Sequence, residues 1–204
     1  MIKNYIFDFG NVLARFDPQE LTAACVKNSE KQKSLADIVF DRKYWDRLDA
    51  GTITDAEAKA GFCENLPPEL HEDACAIYDN WVKNLPPVDG MPELVKYIKD
   101  RGGKLYLLSN ISHKFAAEYK DNPWINDLFS YFDGLLFSAR IGIVKPAPAI
   151  FSRLLESYGL VSEESVFIDD NSNNVAAATA LGIHGILFDG NAEALKEQLN
   201  FYLE

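Results

Sequence analysis

Three aspartates, a serine, two asparagines and a lysine recur at one kind of place in this chain, the end of an apolar run. Asp8 ends the run in "YIFDFGNVLARFD". Ser109 and Asn110 follow "LYLL", and Asp169 and Asp170 follow "VFI" with Asn174 close behind. Lys145 sits in "GIVKPAP", just before a helix-forming stretch. Phosphoryl transfer is the chemistry such a set fits. A phosphate monoester is a dianion and an attacking carboxylate is also negative, so positive charge must stand between them. Asp8 and Asp170 could hold Mg²⁺, which favours carboxylate, carbonyl and water oxygens. Lys145 could neutralise one phosphate oxygen. Ser109 Oγ and the amide N–H of Asn110 could donate to another. Asp8 would then attack phosphorus, and water would hydrolyse the aspartyl-phosphate.

Taken singly, each residue has a plainer explanation. Ser-Asn after a strand is a common helix N-cap, Asp-Asp-Asn a common turn, and a lysine before proline is usually solvated. Their shared placement outweighs these readings, because the runs they end read as strands of one sheet. "YIF", "KLYLLSN" (104–110), "GLLFSAR" (134–140), "SVFIDDN" (165–171) and "HGILFDG" (184–190) are short and nearly continuous in apolar residues. That is the pattern of parallel strands buried on both faces. Helical stretches lie between them at 91–101, 147–158 and 173–181, with a last one at 192–202. The fold class is therefore α/β, a Rossmann-like parallel sheet flanked by helices. Such a sheet gathers the carboxyl ends of its strands along one edge.

Residues 16–87 interrupt this alternation. They hold no convincing strand, only amphipathic segments at 19–28, 32–40, 54–65 and 69–83. "TDAE" (Thr54 to Glu57) has the form of a capping box, and Pro67-Pro68 and Pro86-Pro87 punctuate helix boundaries. We expect a core of residues 1–15 and 88–204 with a helical insert, 16–87, between its first strand and the rest. The 204 residues are 48% hydrophobic with a net charge of −11. No basic block offers a footprint for nucleic acid or an anionic membrane, no apolar run approaches a membrane span, and no secretory leader is evident at the N-terminus. Neither nucleic acid nor membrane is expected as a partner. Cys25, Cys63 and Cys75 lack CxxC spacing and read as small core thiols in a reducing cytoplasm.

"IFDFGNVL", "LLSNIS", "GIVKPAPAIF" and "FIDDNSNNV" resemble, in order, the four motifs of the haloacid dehalogenase (HAD) superfamily. The insert resembles that family's helical C1 cap. "DFGNV" with "DDNSNN" and "WDRLDAGTITDAE" is most similar to the branch of bacterial glucose-1-phosphate phosphatases. The resemblance implies a Mg²⁺-dependent phosphatase of a small phosphorylated metabolite, a sugar phosphate among the candidates. It makes Asp8 the nucleophile, Ser109 and Lys145 the phosphate ligands and Asp170 the metal carboxylate. Asp169 and Asn174 would orient the metal's surroundings.

One position departs from the pattern. The family's general acid stands two residues after the nucleophile, and here that residue is Gly10. Its carbonyl is still available to the metal, but its side chain cannot deliver a proton. A general acid contributes about two to four orders of magnitude, so poor leaving groups should react slowly unless water or a cap residue substitutes. His113, near the second motif, is a candidate donor, although a helix-surface position suits it better. Tyr44 and Trp45 could stack on a sugar face or pack within the cap. Two alternatives stay open: a metal-independent 2-haloacid dehalogenase, whose halide needs no proton, and a non-catalytic phosphate- or partner-binding member. The kinase-like "DFG" at residue 8 leaves no room upstream for a kinase lobe.

Overall fold

The computed structural model describes residues 1–203. Its single sheet has five parallel strands in the order β3-β2-β1-β4-β5: β1 (Asn4–Phe7), β2 (Lys104–Ser109), β3 (Gly134–Phe137), β4 (Ser165–Asp169) and β5 (His184–Leu187). Residues alternate between the two faces. Tyr5, Phe7, Leu105, Leu107, Val166 and Ile168 join one buried cluster, and Ile6, Tyr106, Leu108, Leu136 and Phe167 join the other. Two buried faces remove any need for polar residues in these strands, which is why they read as continuous apolar runs. β5 departs from that expectation. This edge strand exposes His184, Gly185 and Leu187, whereas β3 at the opposite edge is largely buried.

Helices α6 (Met91–Asp100), α10 (Pro148–Tyr158), α11 (Ser172–Thr179) and α12 (Ala192–Leu203) fall where the periodicity places them. So do α1 (Pro18–Cys25), α2 (Ser29–Val39), α4 (Asp55–Glu64) and α5 (His71–Asn84) in the insert. The Thr54 capping box forms: Thr54 Oγ1 accepts from Glu57 N at 3.2 Å, and Glu57 Oε2 accepts from Thr54 N at 2.7 Å. Four helices were not anticipated: α3 (Arg42–Asp49), α7 (His113–Glu118), α8 (Pro123–Phe129) and α9 (Ser138–Ile141). α9 also shortens a predicted strand. "GLLFSAR" leaves the sheet at Phe137 and closes one helical turn, ended by Gly142 at φ 66°. "HGILFDG" likewise ends as a strand at Leu187. The cysteines are half-buried and free rather than fully buried in the core.

The order of strands reverses direction at β1, which has β2 on one side and β4 on the other. Such a switch point opens a crevice at the strands' carboxyl ends. The insert leaves and rejoins the sheet beside it. Arg15 N donates to Pro86 O and Val88 N to Leu13 O, both at 2.9 Å, so the outgoing and returning chains run antiparallel. Glu204, the last residue assigned to the core, lies outside the described residues. Among the described residues no helix is long and apolar enough to cross a membrane.

Candidate active site

Asp8 follows β1 directly, and its amide donates to Ile168 O of β4 at 2.9 Å, closing the switch point. Phe9 then turns down into a packed aromatic group, 4.7 Å from Phe115 and 5.6 Å from Phe129 between ring centroids. That anchor holds the Asp8 carboxylate at the cleft floor, where it is nearly buried. Asn11 completes the turn at φ 55°, a left-handed conformation that asparagine tolerates. Its side chain accepts from Phe16 N at 3.0 Å. Gly10 has no positive φ, and a Cβ built on it would meet nothing within 4 Å. The bridge between Gly10 and Ala14 uses Phe9 O and Asn11 N, so the Gly10 carbonyl has no backbone partner.

Lys145 is buried between two carboxylates. Its Nζ lies 2.8 Å from Asp8 Oδ1 and 2.7 Å from Asp169 Oδ2. Burial works against the ammonium, but the two aspartates outweigh it and raise the Lys145 pKa above its ordinary value. Asp8 is pushed up to about 6, first by burial and then by Asp169, with Lys145 pulling the other way. The Lys145 ammonium at 2.8 Å favours the ionised form of Asp8. Oδ1 accepts from both Lys145 and Phe9 N, the latter at 2.7 Å, while Oδ2 accepts no hydrogen bond from the described residues.

Asp169 is fully buried and its acceptor sites are filled. Oδ1 takes Asn171 N at 2.8 Å and Asn174 Nδ2 at 3.0 Å, and Oδ2 takes Lys145 and the same amide. It orients the lysine, and Asn174 orients it. Asn110 grips the Lys145 backbone from the other side. Its Nδ2 donates to Lys145 O at 2.9 Å and its Oδ1 accepts from Lys145 N at 2.7 Å. The Ser109 hydroxyl and the Asn110 amide N–H have no partner among the described residues.

A cavity of about 480 Å³ opens over this floor. Asp8, Gly10, Ser109, Asn110, Lys145, Asp170 and Asn174 all line it, so the structure gathers every sequence-predicted site residue there except Asp169, which lies beneath. Phe16, Phe40, Trp45 and Trp81 form an aromatic wall, and the Trp81 indole N–H is buried there without an acceptor. Tyr44 does not reach the cavity; its hydroxyl donates to Gly61 O at 2.7 Å inside the insert. His113 is exposed and lies off the main cavity, on a separate small cleft beside Gly51. Sequence reasoning missed Asp49, Asp46 and Arg42, which line the cavity from α3. The residues belong to α3, an element that the periodicity of "RKYWDRLD" does not announce.

The donor set suits a hard cation. Asp8, Asp169 and Asp170 each place an oxygen within 4.8 Å of the others. Lys145 cancels one charge and leaves two negative charges in excess, a surplus that matches a divalent ion. Burial, with Asp169 nearby, raises the Asp170 pKa above its ordinary value. Asp8 Oδ2 and the Gly10 carbonyl accept no hydrogen bond from the described residues, and Asp170 lines the cavity with Asn11 beside it; Asp169 is already saturated.

A doubly wound sheet with an acidic, lysine-clamped cleft at its switch point defines a class, the α/β enzymes that act at the carboxyl edge of the sheet. The chain belongs to the haloacid dehalogenase-like hydrolase family, matching it over residues 2–182. It is 28% identical over 188 residues to a sesquiterpene phosphatase of Aspergillus oryzae, covering 90% of this chain and 88% of that protein. It is 26% identical over 207 residues to the D-ribitol-5-phosphate phosphatase of Bacteroides thetaiotaomicron, covering 97% of each. A HAD family enzyme of the same species, solved as a point variant with magnesium and inorganic phosphate, superposes with a TM-score of 0.70 at 26% identity. That match covers 94% of this chain and 96% of the other. Family and relatives together make this chain a hydrolase of the phosphatase kind.

Proposed function

We propose that this chain is a Mg²⁺-dependent phosphatase of a small phosphorylated metabolite, a sugar phosphate among the candidates, working through an aspartyl-phosphate on Asp8. The observation that carries the reading is the half-engaged Asp8 carboxylate: Oδ1 is clamped and Oδ2 is free in a cleft floored by unpaired donors. Asp8 attacks phosphorus, and Lys145, Ser109 Oγ and the Asn110 N–H hold the phosphoryl oxygens as charge spreads over them. Asp169 and Asn174 keep the lysine in place. Asp8, Asp170 and the Gly10 carbonyl are the residues that would hold Mg²⁺, which when bound screens the dianion from the attacking carboxylate. Residues 16–87 act as a cap over a core of 1–15 and 88–204, and the aromatic wall packs the carbon skeleton of the ester. Its relatives act on substrates as unlike as their names, a sesquiterpene and a pentitol phosphate, and the size of the cavity suits a small one of either kind. The three free thiols favour a cytoplasmic setting.

The test is hydrolysis of p-nitrophenyl phosphate and a panel of sugar phosphates before and after chelation. Activity should vanish with chelator and return with Mg²⁺. Full activity after chelation would overturn the metal-dependent reading, and turnover of 2-haloacids under those conditions would put a dehalogenase in its place.

A further inference from the structure

We infer that Asp49, at the carboxyl end of α3, is the proton donor to the leaving group, supplied by the insert in place of the side chain that Gly10 lacks. This rests on the phosphatase reading above. When Asp8 attacks, the bond from phosphorus to the ester oxygen breaks and its electron pair goes to that oxygen. An alcohol leaving group then needs a proton. Among the described residues the cavity wall holds no histidine, cysteine, tyrosine or glutamate; its side-chain acids are carboxyls, Arg42, which pairs with Asp46, and Lys145, which is held between Asp8 and Asp169. Asp8 is the nucleophile. Asp170 stands with Asp8 at the cation site. Asp46 is exposed and paired to Arg42 at 2.7 Å. Asp49 remains: it is half-buried, lines the cavity, and its carboxyl makes no ion pair or hydrogen bond with the described residues.

The position of Asp49 is built. Its backbone carbonyl accepts from Ser138 Oγ of α9 at 2.6 Å, and Ser138 Oγ in turn accepts from Ile111 N at 2.8 Å, beside Ser109 and Asn110. Two residues on, Gly51 has φ 66°, and a Cβ there would stand 2.6 Å from Ala139 O and 2.9 Å from His113 Nε2. Insert and core touch closely at this turn, so main-chain contacts fix the Asp49 backbone at the cavity wall. Its surroundings favour the acid form. Burial pushes Asp49 up to about 7; Asp46 and Asp8 add to that, while Arg42 and Lys145 oppose it. Asp170 lines the same cavity, and His113 lies against the Gly51 turn.

The proton balance closes over both steps. Asp49 gives its proton to the ester oxygen, releasing the alcohol, and becomes a carboxylate. It then takes a proton from water as the water oxygen attacks phosphorus. The bond from phosphorus to Asp8 breaks, phosphate leaves, and both aspartates return to their starting states.

The experiment compares the native chain with Asp49→Asn across phosphate esters of rising leaving-group pKa, with Mg²⁺ present. The kcat/KM for alkyl and sugar phosphates should fall about 10²- to 10⁴-fold relative to that for p-nitrophenyl phosphate, whose leaving group departs without a proton, while kcat falls for every ester because the second step loses its base. Acid-quenched Asp49→Asn should also retain phosphate on Asp8, by intact mass, because the base for the second step is gone. Adding Gly10→Asp to Asp49→Asn should restore the alkyl substrates. The native chain supplies a readout that needs no variant: kcat/KM for alkyl esters should fall above about pH 7, and that for p-nitrophenyl phosphate should lack this limb. A uniform loss of kcat/KM across the series, or none, with p-nitrophenyl hydrolysis still dependent on Asp8 and metal, overturns the role of Asp49 alone. Loss of the dependence on Asp8 or metal overturns the phosphatase reading and this inference together.

Discussion

Asp8 is the residue on which most of the chemistry converges, and Asp8→Asn is the sharpest single change. The amide keeps the shape but is a poor nucleophile, so turnover should fall by at least about 10³-fold. Lys145 keeps Asp169, so the melting temperature should move by only a few degrees, roughly 1 kcal/mol. An active, folded Asp8→Asn protein would remove Asp8 as nucleophile. Asp49 offers a prediction on stability. Its folded carboxyl is raised from 3.8 to about 7, so the native chain holds that proton more tightly than the unfolded chain. The stabilisation is complete below about pH 4 and is lost as pH rises through 7. In metal-free protein the melting advantage of Asp49→Asn over native should therefore widen from pH 5 to pH 8, by roughly 1–2 kcal/mol after allowance for partial exposure. An advantage independent of pH would show that Asp49 ionises normally.

Among the elements, α3 and its terminating turn decide how insert and core meet. The turn needs glycine at position 51 for both reasons glycine is ever needed, a left-handed φ and no room for a Cβ. Gly51→Ala should cost about 2–3 kcal/mol in melting experiments. It should lower kcat/KM for alkyl phosphates more than for p-nitrophenyl phosphate, because it displaces Asp49. An equal loss on both would mean that the turn only supports folding. This junction was not legible in the sequence. "RKYWDRLDAG" showed its aromatics and its Gly, but nothing local says that Gly51 presses on Ala139 or that Ser138 reaches Asp49, 89 residues away. The Thr54 capping box was legible because its bonds span three residues.

For the whole molecule, sheet and insert form one cleft between them, and what fills it should hold them together. Mg²⁺ with inorganic phosphate, each at 100 times its dissociation constant, should raise stability by roughly 2.7 kcal/mol or more. A melting scan would show the gain, and Asp170→Ala should abolish the Mg²⁺ part. The strands, their parallel class and the strand-end carboxylates were all evident from the chain itself. Burial on both faces dictates composition residue by residue, and a motif of a few residues carries its own turn. The tertiary structure alone decided the rest. It saturated Asp169 with Lys145 and Asn174, which leaves Asp170 and the Gly10 carbonyl as the oxygens lining the cavity beside Asp8. It turned Tyr44 and His113 away from the cavity and brought Asp49 into it. These outcomes depend on contacts between segments far apart in sequence, and the identity of a residue does not reveal which distant partner will satisfy it.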